Sequence, residues 1–109
     1  MSEAKVKTAA GYITDSVEIT STTSKDIDVE ELLGMIAEMG WVTSDDGLIY
    51  LQINGTEVSK IPLTTGDVFN FKKSEKWRIK RIILTTDSVS ALTVRYFFKN
   101  SEVIILGTS

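Results

Sequence analysis

Ile49-Tyr50-Leu51-Gln52-Ile53-Asn54-Gly55 is the stretch that decides the fold class. Residues 48–53 read as a strand. Asn54-Gly55 behind it is the strongest hairpin signal in the chain, because both residues accept the positive φ of a type I′ turn. The expectation is that Gly55 takes the positive φ and sets the hairpin register. Residues 56–63 then return as a second strand, with Pro62 confining that end to a strand terminus or a sheet edge.

The same rhythm continues in both directions. Downstream, the turn 64–67 leads into 68–72, where Phe69 and Phe71 share a face. Strands follow at 77–85, 89–99 and 103–106, separated by Asp87-Ser88 and Asn100-Ser101. Upstream, 41–43 runs into the turn Ser44-Asp45-Asp46-Gly47. In 12–20, Ile13, Val17 and Ile19 fall on one face at period two, interrupted by Asp15. Asp28 suits a helix N-cap with Glu31 completing a capping box. Val29, Leu32, Leu33 and Ile36 recur at helical spacing, and Gly40 is placed to stop the helix in the left-handed conformation. Residues 29–39 therefore read as a short helix or, with Gly34 weakening it, an extended connection. Seven or eight short strands joined by turn residues predict an all-β fold, an antiparallel sandwich of jelly-roll or Greek-key type with one short helix. Residues 1–8 are polar and small and read as a flexible tail; 9–109 form one domain. A chain of this length buries roughly two thirds of its unfolded surface.

Composition removes much chemistry. The 109 residues contain no histidine and no cysteine, which excludes the imidazole base, the thiolate nucleophile and the usual zinc ligands. Glycoside hydrolysis needs only two carboxylates, but fifteen acids make some such pair inevitable. Neighbouring Ser-Lys pairs such as Ser59-Lys60 point to opposite faces of a strand, and no glycine-rich phosphate loop is present. The expectation is that the chain is not an enzyme and carries no cofactor. Asp26, Asp28 and Glu30 alternate and Asp45-Asp46-Gly47 is oxygen-rich, as calcium sites are. However, Asp28 is spoken for as a cap, and no metal is expected. Residues 1–10 hold no apolar core of a secretory signal, and no run is long enough to span a bilayer. A cytoplasmic or virion location follows as the expectation, with no membrane partner. One glutamine, three asparagines and no cysteine lean towards a thermophilic source. Charge is uneven: three bases face ten acids in 1–54, nine face five in 55–109. Such polarity steers partners unless interleaved strands erase it.

Three strands carry apolar residues on both faces. In 77–85, Ile79 and Ile83 oppose Ile82 and Leu84; either a bulge near Lys80-Arg81 restores one inner face or the strand is covered on both sides. Tyr96-Phe97-Phe98 and Val103-Ile104-Ile105-Leu106 repeat the problem, and a neighbouring copy is the economical cover. A homo-oligomer is expected, with Tyr96, Phe97, Ile104 and Leu106 in its interface. Exposed aromatics on a sandwich face would instead suit a module that stacks sugar rings. Lys72, Lys73, Lys76 and Arg78, with Trp77 interleaved, form the candidate anion-binding cluster. Nucleic acid is not the expected partner, because lysines commonly protect a solvated strand edge and the chain is acidic overall.

Ile61-Pro62-Leu63-Thr64-Thr65-Gly66-Asp67, the aromatic strand Val68-Phe69-Asn70-Phe71, Ile82-Ile83-Leu84-Thr85 and the closing Leu92-Thr93-Val94-Arg95-Tyr96 together resemble small β-sandwich structural proteins of phage and archaeal virus particles. The preceding 49–55 fits the same likeness. It covers about half the chain and implies a virion, decoration or attachment component that acts by self-assembly, with no catalytic residue to carry over. The alternative reading is a small binding module for carbohydrate or another polar ligand.

Overall fold

The computed structural model describes residues 11–100. The expected tail 1–8, and Ile104 and Leu106 of the expected last strand, lie outside the described residues. Among the described residues eight strands run in the order β1 (Tyr12–Ile19), β2 (Lys25–Ile27), β3 (Met39–Ser44), β4 (Ile49–Ile53), β5 (Ile61–Leu63), β6 (Val68–Phe71), β7 (Ile82–Thr85) and β8 (Leu92–Lys99). A single helical turn, α1 (Val29–Leu33), sits between β2 and β3, and a 3-10 turn, Lys73–Glu75, follows β6.

Two four-stranded sheets, β1-β8-β3-β6 and β2-β7-β4-β5, face each other, and every strand ladder is antiparallel. This is the antiparallel sandwich that the strand spacing predicts. Only β4 and β5 are consecutive neighbours; every other connection crosses between sheets. Each sheet therefore takes two strands from the acidic half of the chain and two from the basic half, and the linear charge asymmetry is interleaved. Phe98, Ile19, Ile49, Leu51, Ile79, Ile82, Leu84, Val42 and Val94 are almost wholly buried between the sheets.

Several local expectations need correction. The helix ends at Gly34, not Gly40: Asp28 Oδ1 accepts from the Glu31 amide at 3.0 Å as predicted, but Gly34 takes φ 91° and closes the turn. Residues 39–44 are extended instead, since β8 and β6 offer hydrogen-bonding edges on both sides of β3. Gly40, at φ 155°, lies so close to β8 that a Cβ would stand 2.0 Å from the Phe97 carbonyl oxygen. At the hairpin, Asn54 holds the positive φ (70°) and Gly55 does not. The connection is the long loop 54–60 rather than a two-residue turn. Asn54 anchors its start: Nδ2 donates to the Arg78 carbonyl at 2.9 Å and Oδ1 accepts from the Lys80 amide at 2.7 Å.

That loop also resolves the phase change in 77–85. The strand is only Ile82–Thr85, and Ile79 pairs separately with Ala37. Ile83, on the outer face, is buried all the same, next to a groove shared with 54–57. Gln52, beside it, donates to the carbonyls of Thr56 at 3.0 Å and Val58 at 2.8 Å. The second cover comes from the chain itself.

Candidate functional site

The eight-residue alternation of β8 puts Leu92, Val94, Tyr96 and Phe98 inside and Thr93, Arg95, Phe97 and Lys99 outside. Tyr96 is therefore a core residue, only 4% exposed, and of the two expected interface residues on this strand only Phe97 faces outward. Burial pushes its hydroxyl pKa up, and the Asp15 carboxylate opposite it in the register adds to the shift. Asp15 itself points inward from the edge strand β1 while staying exposed. An inward-pointing charge of this kind discourages another strand from adding to the edge.

Phe97 stands at the centre of the outer face. Its cross-strand partners are Thr14 on β1 and Trp41 on β3. Its ring lies 5.5 Å from that of Tyr12, tilted 30°, and 6.1 Å from that of Trp41, tilted 18°. Three aromatic rings in a row thus cross β1, β8 and β3. Tyr12 and Val68 are each 51% exposed. Sequence reading set Trp41 just past the expected helix stop at Gly40 and gave it no face; the signal was the alternation of Trp41 and Thr43 with buried Val42 and Ser44.

Beside Trp41 opens a groove of about 440 Å³, lined by Thr43, Asp45, Thr65, Val68 and Arg95 among others. Arg95 reaches Asp45 Oδ1 through Nε at 3.1 Å and through Nη2 at 3.0 Å. Both contacts fall on one oxygen, so Oδ2 and the outer guanidinium nitrogens still have hydrogen-bonding capacity. Thr43 Oγ1 donates to the Asp67 carbonyl at 2.7 Å, which leaves its lone pairs as acceptors. Asp67 is held in place by the amide and hydroxyl of Thr64, and these two bonds lower its pKa. The wall of the groove therefore combines an aromatic face, fixed hydroxyls, a carboxylate and a guanidinium. Of the other acids singled out in the sequence, Asp26 pairs with Arg81, Asp28 caps the helix, and Asp46 Oδ1 accepts from the Thr93 amide at 2.8 Å. Among the described residues no three carboxylates converge as a metal-binding group.

The basic cluster is brought together in part. Lys73, Lys76 and Arg78 line a second groove of about 440 Å³ with Trp77 and Glu38. Lys72 does not join them; it begins the 3-10 turn, where its amide donates to Glu75 Oε1 at 3.2 Å. The same oxygen accepts from Trp77 Nε1 at 2.7 Å, and the two bonds, the indole's first, lower the Glu75 pKa. Trp77 packs edge-on against Phe71, centroids 5.0 Å apart, so the indole is fixed. Among the described residues no ion pair engages Lys73, Lys76 or Arg78.

Among the described residues no helix is long and apolar enough to cross a membrane. No protein-family model matches the chain, and no curated protein matches it either. Solved structures do share its fold. The hydroxypropylphosphonic acid epoxidase from S. wedmorenis superposes with a TM-score of 0.52 at 11% identity, over 84% of this chain and 44% of that one. A candidate mannose-6-phosphate isomerase from Ralstonia eutropha JMP134 gives 0.50 at 12%, over 84% and 76%. A Bacillus endospore appendage chain, from a disulfide-linked pilus, gives 0.43 at 16%, over 83% and 89%, a likeness too loose to carry an argument. This chain spans less than half the length of the epoxidase. At such identities the likeness establishes the fold alone. It nevertheless corrects the expectation that the chain is no enzyme: this sandwich is one on which an epoxidase and a candidate isomerase are built. Lack of histidine and cysteine narrows the chemistry without excluding catalysis.

Proposed function

We propose that the outer face of the β1-β8-β3-β6 sheet is a binding face for a carbohydrate or similar polyol. The observation that carries this reading is the row Tyr12–Phe97–Trp41 leading into a groove with the half-engaged Asp45–Arg95 pair. Sugars present apolar C–H faces and ring hydroxyls together, and an aromatic ring beside paired donors and acceptors complements both. The test is calorimetric titration of a panel of neutral gluco-, manno- and xylo-oligosaccharides. Binding of at least one member, lost in Trp41→Ala with the melting temperature retained, is the expected result. Silence across the panel at millimolar concentration would overturn the reading.

A second reading is self-association through this same face, an assembly role of the kind the resemblance to virion proteins implies. The exposure of Tyr12 and Val68 around Phe97 favours it. Asp15 on edge strand β1 directs such contact to the face rather than the edge. Light scattering of the parent and of Phe97→Asp separates the two: a parent monomeric at about 100 μM, well above the Kd of specific assemblies, removes self-association.

A further inference from the structure

Resting on the carbohydrate reading, we infer that the ligand is an anionic glycan, a polysaccharide bearing sulfate, phosphate or carboxylate groups, held across both grooves. The two grooves lie at opposite ends of one strand pair. Thr43 and Val68 form the last β3–β6 pair at the Arg95–Asp45 groove; Glu38 precedes β3 and Lys73 follows β6 at the basic groove. From Glu38 to Thr43 is about 16 Å at the rise of an extended strand, and Trp41 lies between. A chain ligand stacked on Trp41 and running along β3 reaches the end of the sheet where Lys99 stands on the outer face.

Charge is distributed to match. At the Thr43 end the guanidinium of Arg95 is already paired with Asp45, so that end offers hydrogen bonds at little net charge. At the other end Lys73, Lys76 and Arg78 are unpaired among the described residues, and Lys99 projects from the outer face of β8 at the same end. Glu75, the nearest acid in sequence, is occupied by the Trp77 indole and the Lys72 amide. A glycan is favoured over single-stranded nucleic acid because the chain carries a net charge of −3, which opposes an unbroken phosphate backbone, whereas a glycan carries its charges at intervals.

The experiment titrates the full chain with dextran sulfate oligosaccharide, with unsulfated dextran oligosaccharide of the same length, and with a 20-base poly(dT), at low and at physiological salt. Sulfated dextran is expected to bind at least ten-fold more tightly than dextran, and the gap to shrink with salt because exposed charges are screened. Arg78→Glu combined with Lys73→Glu should abolish the gap, and Trp41→Ala should weaken the sulfated ligand as well. Equal affinities for the two dextrans, sulfate-dependent binding indifferent to Trp41→Ala, tighter binding of poly(dT), or no binding of either dextran would each overturn the inference. The neutral panel above judges the carbohydrate reading separately. Retained melting temperatures show that the surface variants fold.

Discussion

Replacing Gly40 with alanine tests how closely β3 and β8 approach. The new Cβ would stand 2.0 Å from the Phe97 carbonyl oxygen, 2.7 Å from Phe98 Cδ1 and 2.9 Å from Phe98 Cα. Two of these three atoms are backbone, in the strand that pairs with both β1 and β3, so no side-chain rotation relieves the clash. Forced overpacking costs typically about 1–3 kcal/mol, and an alanine held at a φ of this sign adds roughly 1–2 kcal/mol. We expect Gly40→Ala to lose about 3 kcal/mol, which for a domain of this size lowers Tm by on the order of 12 °C or more. Gly55→Ala is the matched control: a Cβ there would meet no atom within 4 Å, and the φ of Gly55 is not positive. Its stability should stay within about 0.5 kcal/mol of the parent. Urea and thermal unfolding followed by circular dichroism measure both. A Gly40→Ala protein as stable as the parent, or a Gly55→Ala protein that falls equally far, would refute the reasoning.

Asn54→Ala removes the side-chain bonds to the Arg78 carbonyl and the Lys80 amide and leaves alanine at positive φ; urea unfolding should show a loss of about 1–2 kcal/mol, with Asn54→Gly recovering only the backbone share. Asp67 titrates below the ordinary aspartate value of 3.8 because the Thr64 amide and hydroxyl bind its ionised form. Its contribution to stability is therefore complete above that value and is lost as pH falls through the lower folded-state pKa. Tm measured against pH should fall less steeply at the acid end for Asp67→Asn than for the parent, and parallel profiles would reject this origin. The Glu75 carboxylate, held down by the Trp77 indole and the Lys72 amide, loses its contribution in the same direction, below its ordinary 4.5; Trp77→Phe should reduce that acid sensitivity.

Legibility differed by element. The strands around Leu51, Phe69 and Phe71 could be read because alternation needs only the strand itself and one buried face. The outward position of Phe97 and the inward position of Tyr96 were implicit in the same alternation. Which of the two faced the core was not, because aromatic residues occupy both positions. The helix stop failed because Gly34 and Gly40 are both competent to end a helix. Gly34 does so, while Gly40 serves the close approach of β8, a demand made by a strand more than fifty residues away. Similarly, Asn54-Gly55 carries a turn signal, but the bonds from Asn54 to 78–80 drew the chain into a longer loop.

What the sequence determined by itself is the class of the fold: period-two alternation and frequent turn residues leave an all-β sandwich as the way to bury one face of each strand. It also set the chemical inventory, without imidazole or thiol. Tertiary structure alone decided the candidate site. Trp41, Arg95, Asp45 and Tyr12 come from β1, β3, β8 and the turn after β3, and they meet only because strand order places β8 between β1 and β3. Strand order depends on which edges pair across long separations, an energy shared among many residues, and no local spacing records it.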